Sequence, residues 1–183
     1  MKDFIKLSSE IGKNQRLVQG AGGNTSYKEE GDMWVKASGK WLSRALNENI
    51  FVSVNLIKIR ENIENNREFL SNSYLKEGQL RPSIETTLHA LMPHRVVLHT
   101  HPIDLLGVIL RKNGREILSK ILKNDSWAWI PYTKPGIDLT RLVRKVVAKQ
   151  KVDILILANH GLVVGGKDCD TAFSLMDRIV NSV

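Results

Sequence analysis

Two apolar runs that end in histidine constrain the fold of this chain most strongly. The first covers residues 95–99 and leads into His99-Thr100-His101-Pro102, and the second covers residues 152–158 and is followed by His160. Short apolar runs bounded by turn residues are typical of buried β-strands. Side chains two positions apart on a strand point to the same face, so His99 and His101 can reach one ion. The two runs therefore predict a buried sheet with histidines at the ends of two strands.

The spacing of these histidines suits a catalytic metal centre. Three protein ligands with a fourth position open are typical of catalytic zinc, whereas structural zinc is closed by four protein ligands. Neutral imidazole suits zinc best, and iron, cobalt, manganese and nickel are alternatives. A lone histidine more commonly packs in a core, but here two histidines at strand spacing are joined by a third. We expect Zn²⁺, or another divalent transition metal, at His99, His101 and His160.

Glu85 is the candidate acid–base group. It lies in the first turn of a helix that is predicted to start at Pro82-Ser83, with Ser83 as the N-cap, and to end at Pro93. A carboxylate there can interact with the helix dipole alone, or it can move protons or hold the metal beside a bound cation. His89 lies one turn further on the same face. It is a candidate fourth ligand, a partner of Glu85 or a structural residue, and the last two roles are preferred.

Three short segments have features that bind anions. The glycine-rich turn at residues 20–26 lets the backbone approach an anion closely, and Asn24 and Ser26 add polar side chains. A second turn, Ser38-Gly39-Lys40, and Ser83 at a helix start have the same character. Residues 20–26 form neither a dinucleotide fingerprint nor a Walker loop, because a strand pattern follows them. If the segments converge, they form a phosphate pocket in which Lys40 supplies positive charge.

The rest of the sequence alternates between helical and strand patterns without an internal repeat or a change in composition. The polar stretch at residues 57–73 has no strong period and predicts a mobile excursion. Further helices are predicted over residues 3–17, 105–111, 117–122, 139–148 and 168–180, and further strands over residues 33–37, 51–54 and 127–131, the first of these in a hairpin. Strands and helices that alternate without a linker predict one α/β domain over residues 1–183.

Composition excludes several functional classes. The chain has 183 residues, of which 42% are hydrophobic, and no apolar run approaches the roughly 20 residues that span a bilayer. The single cysteine, Cys169, excludes an intramolecular disulfide and predicts a cytoplasmic protein. The net charge of +8 comes from lysines and arginines spread along the chain, without a basic run or interleaved aromatic residues. We therefore expect neither a membrane nor a nucleic acid as the partner.

Five motifs occur in the order and spacing of the class II aldolase/adducin head family, which the sequence resembles over nearly its whole length. They are residues 20–26, 36–39, 82–85 with His89, 99–102 and 159–162. The likeness is greatest to the aldolase portion of bifunctional rhamnulose-phosphate aldolase/alcohol dehydrogenases, through QGAGGNTS, VKASG, RPSIETTLHALMPHRVVLHTH and PYTKPG. Two residues depart from the pattern of the sugar-phosphate aldolases, in which hydroxyl residues are common where this chain has Ala21 and Ile84.

The resemblance implies a three-layer α/β/α sandwich around a mixed, largely antiparallel sheet, assembled as a homotetramer with active sites between subunits. It assigns zinc to the three histidines and the acid–base role to Glu85. The implied reaction is the reversible cleavage of a ketose 1-phosphate, in which zinc stabilises the enediolate and Glu85 moves the proton at carbon. The resemblance places the substrate phosphate against Gly23, Asn24, Ser38, Gly39 and Ser83.

Other functions remain open at this point. Epimerisation, decarboxylation and dehydration use the same metal and enediolate chemistry, so the sequence does not separate them from carbon–carbon cleavage. A non-catalytic assembly module, as in adducin heads, is less favoured because those proteins lack the metal histidines. Binding of an anion or a nucleic acid through the net charge of +8 is a third alternative.

Overall fold

A mixed β-sheet forms the centre of the computed structural model, which describes residues 1–65 and 80–183. Its seven strands within those residues are β1 (Asn24–Glu29), β2 (Asp32–Lys36), β3 (Phe51–Asn55), β4 (Val96–Thr100), β5 (Trp127–Ile130), β6 (Ile154–Leu157) and β7 (Gly161–Gly166). Across the sheet their order is β3-β2-β1-β4-β7-β6-β5. Each neighbouring pair is antiparallel except β5 and β6, which are parallel. The sheet is open, and β4 lies at its centre.

Helices cover both faces of this sheet. Those in the described residues are α1 (Lys2–Lys13), α2 (Leu56–Glu64), α3 (Thr86–Leu91), α4 (Ile103–Ile109), α5 (Gly114–Ile121), α6 (Ile137–Val147) and α7 (Cys169–Val180). None of them is long and apolar enough to cross a membrane. Successive side chains of β4 point to opposite faces. Val96 and Leu98 therefore pack in a cluster with α1, α4, α5 and α7, whereas Val97 packs with α3 and α6. The predicted three-layer sandwich around a largely antiparallel sheet is confirmed, and a single domain over residues 1–183 stays a prediction.

The N-terminal elements agree with the predictions except at one boundary. β1 and β2 form the predicted hairpin, whose turn contains Glu30 and Gly31, both with positive φ. The first helix ends at Lys13 rather than at residue 17. It stops there because Asn14 has an extended backbone and its side chain accepts a hydrogen bond from the Arg16 N–H (3.0 Å).

The stretch after β3 is a helix as far as residue 64, so the predicted mobile excursion is wrong there. The Asn55 side chain caps α2 by accepting a hydrogen bond from the Lys58 N–H (2.9 Å). Leu56, Ile59 and Ile63 form a buried stripe that packs on the cluster beneath β2 and β3. The charged residues between them hide this helical period in the sequence. Residues 66–73 of the excursion lie outside the described residues.

The sequence analysis above does not predict β7, although this strand positions the site. β7 pairs with β4 on one side and β6 on the other, with Val163 opposite His99 and Gly161 opposite Leu157. Three of its six residues are glycine, a composition more typical of a loop. The glycines are needed for close packing, since a Cβ atom on Gly165 would lie 2.1 Å from the His94 ring.

Candidate metal and anion site

Three histidines come together at one end of the central strands. His99 is in β4, His101 follows the end of that strand, and His160 lies in the turn between β6 and β7. The β4–β7 pairing, in which Thr100 lies opposite Leu162, carries His160 to the other two rings. The ring centroid of His99 lies 4.8 Å from that of His101 and 4.9 Å from that of His160. The predicted convergence of two strand ends is therefore present in the structure.

Local backbone features hold two of these rings in place. The Nδ1 atom of His99 lies 3.0 Å from the Leu162 carbonyl oxygen, so the Nδ1–H donates and the lone pair is on Nε2, the atom that faces Nε2 of His101. The residue before His160, Asn159, has a φ of +54°, a left-handed conformation that asparagine tolerates. After it, a Cβ atom on Gly161 would lie 2.5 Å from the Thr100 carbonyl oxygen, so the turn needs glycine there.

Burial keeps the imidazoles of His101 and His160 neutral. Removal from water and the neighbouring His99 and His160 together lower the pKa of His101 to about 3. Burial likewise lowers the pKa of His160, with His99 contributing. A neutral imidazole presents the lone pair that a metal requires. These two residues are therefore in the protonation state of ligands at neutral pH.

The Glu85 carboxylate lies against the same cluster and is 6% exposed. Its Oε2 atom lies 3.3 Å from Nε2 of His99, and its Oε1 atom lies 3.3 Å from Nε2 of His160. The Asn24 side-chain amide donates a hydrogen bond to Oε2 (2.8 Å). Burial by itself raises the pKa of Glu85, but the two histidines and the Asn24 amide outweigh it, and the net pKa is below the ordinary value. Glu85 is therefore ionised.

The predicted N-cap role of Ser83 is wrong. Helix α3 begins at Thr86 with Glu85 in the N-cap position. The Ser83 hydroxyl instead accepts a hydrogen bond from the Glu85 N–H (3.3 Å), and its carbonyl oxygen accepts one from the Thr86 N–H (3.1 Å). Ser83 thus lies two residues before the N-cap position and shapes the turn that presents Glu85.

The donor set fits a divalent transition metal. One nitrogen from each of His99, His101 and His160 lies within 4.8 Å of the others. Ligands around a tetrahedral ion with bonds of about 2.0–2.1 Å are about 3.3 Å apart, and the Nε2 atoms of His99 and His101 lie 3.0 Å apart. In addition, Oε1 of Glu85 is buried without a hydrogen-bond partner in the described part of the chain, a deficit that a cation removes.

The glycine loop reaches the histidine cluster through the pairing of β1 and β4. Asn24 lies opposite His99 in that ladder. Gly23 precedes it with a φ of +59°, and a Cβ atom there would lie 2.9 Å from the His99 carbonyl oxygen. A glycine is therefore required where the loop contacts the end of β4.

The other two predicted anion segments lie side by side. The Ser38 N–H donates to the Arg81 carbonyl oxygen (2.8 Å), and the Ser83 N–H donates to the Lys36 carbonyl oxygen (3.0 Å). The turn at Ser38-Gly39 is exposed. The Lys40 ammonium pairs with Glu48 at 3.1 Å, so its charge is already partly neutralised. We call the predicted anion-binding residues the anion pocket, and their binding of an anion stays a prediction; they are Gly23, Asn24, Ser38, Gly39, Lys40 and Ser83.

Lys36 is a site residue that the sequence analysis above does not name. It ends β2, is 2% exposed, and its ammonium donates to the carbonyl oxygens of Ala21 (2.6 Å) and Lys40 (2.7 Å). Burial lowers its pKa to about 8, and the Glu85 carboxylate opposes this change. Two signals in the sequence point to this lysine: it is the first residue of the 36–39 motif, and it lies between Val35 and Ala37, two residues of a strand core.

His89 lies behind Glu85 and outside the histidine cluster. It is fully buried, and its Nδ1 atom lies 2.8 Å from the Ser26 hydroxyl oxygen. Burial lowers its pKa to about 3, with His99 contributing. These contacts agree with the structural or supporting role that the sequence favours.

A cavity of about 350 Å³ adjoins the anion pocket at Ser83. One wall is formed by residues 81–84 and the other by residues 134–138, which include the last three residues of the PYTKPG motif. Ile84 is 57% exposed beside this cavity. The cavity offers room for the part of a small ligand that extends beyond the anion pocket.

The comparison with protein families covers almost the whole chain. The sequence model of the family described as Class II Aldolase and Adducin N-terminal domain matches residues 2–183. The match includes the histidine cluster, Glu85 and every residue of the anion pocket.

Two curated proteins are similar in sequence. The chain is 32% identical over 197 residues to "Uncharacterized oxidoreductase YuxG" of Bacillus subtilis, a match that covers 98% of this chain and 28% of that protein. The chain thus spans less than a third of that relative. It is also 27% identical over 175 residues to the L-fuculose phosphate aldolase of Methanocaldococcus jannaschii, covering 94% of this chain and 87% of that enzyme.

A solved structure has the same fold. The N-terminal class II aldolase domain of a conserved protein from Thermoplasma acidophilum matches with a TM-score of 0.83 and 27% identity, covering 98% of this chain and 89% of that one. The proteins named here do not test the particular likeness to rhamnulose-phosphate aldolase/alcohol dehydrogenases, which stays a prediction.

Proposed function

Because this chain belongs to the class II aldolase and adducin family, we propose that it is a metal-dependent lyase that cleaves a carbon–carbon bond of a small phosphorylated sugar. A ketose 1-phosphate would give dihydroxyacetone phosphate and an aldehyde. The observation that supports this most is the buried Glu85 carboxylate, 3.3 Å from two of the three clustered histidines. It combines a proton-transferring group and a metal site at one point, beside turns that suit a phosphate.

The metal role rests on the histidine cluster. A zinc ion, or another divalent metal, held by His99, His101 and His160 supplies Lewis-acid chemistry that stabilises negative charge on the substrate oxygens. The hydrogen bond from His99 to the Leu162 carbonyl fixes the ring that would bind it.

The chain's own residues would perform the remaining steps. The anion pocket binds the phosphate and places the sugar carbons beside Glu85. When the bond between the third and fourth carbons breaks, the ionised Glu85 carboxylate accepts the proton of the hydroxyl on the fourth carbon, and that carbon becomes the aldehyde. The electron pair stays on the third carbon, to which Glu85 delivers a proton. Asn24 holds Oε2 of Glu85, which leaves Oε1 to transfer that proton.

The proposal also covers the localisation, the oligomeric state and the partners of the enzyme. We place it in the cytoplasm as a homotetramer, with a sugar phosphate as its ligand and with neither a membrane nor a nucleic acid as a partner. The L-fuculose phosphate aldolase of M. jannaschii, 27% identical over most of both chains, supports the choice of a sugar phosphate.

The test is the substitution Glu85→Gln, which preserves the shape of the side chain and removes its charge. We expect the variant to retain about one metal per chain by plasma mass spectrometry. Cleavage of ketose 1-phosphates should fall by at least about a hundredfold, since general acid–base catalysis contributes about 10²–10⁴-fold. Glu116→Gln, on the first turn of α5, is the matched control and should retain the wild-type rate.

Two results would contradict the proposal. A wild-type cleavage rate in Glu85→Gln would remove Glu85 from the mechanism. A protein that binds no divalent metal even when zinc is supplied would remove the metal centre. A metal-bound protein that epimerises, decarboxylates or dehydrates sugar phosphates without cleaving them would reassign the reaction at the same site.

A further inference from the structure

Two buried lysines occupy neighbouring strands, and only one of them lies at the site. Lys36 ends β2 and is 2% exposed, and Lys28 in β1 is 7% exposed. Each ammonium donates to two backbone carbonyl oxygens: Lys36 to those of Ala21 and Lys40, and Lys28 to those of Met92 and His94. The chain therefore contains the same arrangement twice, once between the anion-binding loops and once at the beginning of β4.

The hydrogen bonds of Lys36 join two segments that otherwise close on themselves. In the glycine loop, the Gly22 N–H donates to the Gln19 carbonyl (2.9 Å), and in the second turn the Lys40 N–H donates to the Ala37 carbonyl (3.3 Å). The Lys36 ammonium connects the two through Ala21 and Lys40. Together with the β1–β2 ladder, this side chain therefore helps to set the relative position of the two halves of the anion pocket.

The charge of Lys36 is incompletely compensated. A buried ammonium is costly unless charges or hydrogen bonds offset it. Its two acceptors are neutral carbonyls, and the third N–H has no acceptor among the residues that the structure describes. Glu85 is the carboxylate that favours its charged form. Of the other charged groups nearby, Lys40 is paired with Glu48, and His101 is neutral at physiological pH. An anion in the pocket would supply the missing compensation.

We propose that Lys36 is a positioning residue of the anion site, whose ammonium fixes the glycine loop against the turn at residues 38–40 and places a positive charge behind both. The proposal rests on the phosphate role given above to the anion pocket. It adds a residue to that pocket and explains why a lysine is buried at the end of β2.

The two contributions of Lys36 can be separated by pH. Its pKa of about 8 means that the charge is lost as pH rises through this value. A neutral amine still has two N–H donors, and they suffice for the Ala21 and Lys40 carbonyls. High pH therefore removes the charge while the connection between the loops remains. Substitution by methionine, which has a similar length and no donor, removes both.

The experiment is calorimetric titration with sulfate, a tetrahedral dianion whose charge is constant over this pH range. It is carried out at constant ionic strength on the wild type, Lys36→Met and Lys28→Met. Below pH 8 we expect Lys36→Met to bind sulfate at least about tenfold more weakly than the wild type, since hydrogen bonds to charged groups are worth about 1.5–3 kcal/mol. Lys28→Met should match the wild type in affinity even where its melting temperature is lower.

The pH profile of the wild type provides an independent readout. One pH unit above the pKa of about 8, sulfate affinity should be several-fold weaker than one unit below it. Loss of the Lys36 charge should not lower the melting temperature, because a lysine whose pKa is lower in the folded protein than in the unfolded chain adds stability as it deprotonates. This measurement needs no variant, so it tests the role of the Lys36 charge even if Lys36→Met does not fold. A purely structural lysine would leave the profile flat.

The outcomes separate this inference from the proposed function. Equal sulfate affinity in Lys36→Met and the wild type, or a flat wild-type profile, would overturn the role of Lys36 and leave the anion pocket intact. A wild-type protein that binds neither sulfate nor inorganic phosphate would overturn the anion pocket itself, and the role of Lys36 with it. Comparable losses of sulfate affinity in Lys36→Met and Lys28→Met would show a general effect of removing a buried lysine. That result would also overturn the proposed role of Lys36.

Discussion

The histidine cluster and the anion pocket meet at one end of the sheet, but they are built differently. The cluster consists of buried and half-buried side chains: His99 and the adjoining Glu85 are 1% and 6% exposed, and His101 and His160 are half-buried. The anion pocket consists largely of backbone turns, with Ser38 and Gly39 exposed and Gly39 at a φ of +76°. In the cluster the residue type supplies the chemistry, whereas in the pocket the conformation of the chain does.

This difference predicts how each region responds to substitution. A side chain that is changed in the cluster removes a ligand or an acid directly. A side chain that is changed in the pocket acts only where it alters the backbone, or where it is one of the few groups, such as Lys36, that hold the turns in place.

The largest effect, on zinc affinity, is expected from the substitution His99→Ala. Removing one of three ligands, and the one oriented by the Leu162 carbonyl, should lower zinc affinity by more than about a hundredfold, since even an outer-shell partner is worth about 10–100-fold. Plasma mass spectrometry after dialysis against a weak chelator measures the metal per chain. His94→Ala is the control, because His94 bonds to Asp153 at the opposite end of β4 and should leave the metal content unchanged. Full zinc occupancy in His99→Ala would refute the assignment.

A smaller effect, on stability, should distinguish two glycines. Gly161→Ala places a Cβ atom 2.5 Å from the Thr100 carbonyl oxygen, so the β4–β7 ladder must move, at a cost of about 1–3 kcal/mol or more. Gly39→Ala has open space around the new atom and costs only the left-handed conformation, about 1–2 kcal/mol. Urea unfolding gives both values. Loss of zinc affinity in Gly161→Ala but not in Gly39→Ala would support the contrast, and the reverse order would contradict it.

The smallest effect, on sulfate affinity, is expected from the substitution Ser38→Ala. Its side chain is exposed, and the N–H that shapes the turn bonds to the Arg81 carbonyl in either variant. If the turn binds anions through its backbone, sulfate affinity should fall by no more than about threefold, within the net value of one neutral hydrogen bond. Titration calorimetry measures it beside the wild type. A tenfold loss of sulfate affinity would show that the Ser38 hydroxyl, rather than the backbone, contributes most to anion binding. The anion pocket would then resemble the histidine cluster, in which side chains supply the chemistry.

The parts of the site that could be predicted from the sequence are those whose chemistry is local. His99 and His101 are two residues apart on one strand, and His160 and Glu85 each adjoin a recognisable turn or helix start. Residue type and spacing therefore suffice to predict them. The same holds for the layered fold, because strand and helix periods survive in most segments.

The parts that could not be predicted depend on partners distant in the chain. The glycines of β7 are explained only by His94 and other groups that approach them closely. The helical period of α2 becomes visible once the cluster beneath β2 and β3 is known. Lys36 acquires its role from Ala21, fifteen residues earlier. Such contacts leave little trace in a local pattern.

The central place of β4 has a consequence for folding. Its neighbours are β1, from the N-terminal part of the chain, and β7, from near the C-terminal end, so both ladders join residues far apart in sequence. Pairings of this kind close long loops and form slowly. Before both ladders exist, a nascent chain has only the local pair His99 and His101 with which to hold a metal. The three histidines can therefore come together only when β7 has paired with β4, and an occupied centre reports that this long-range pairing has formed.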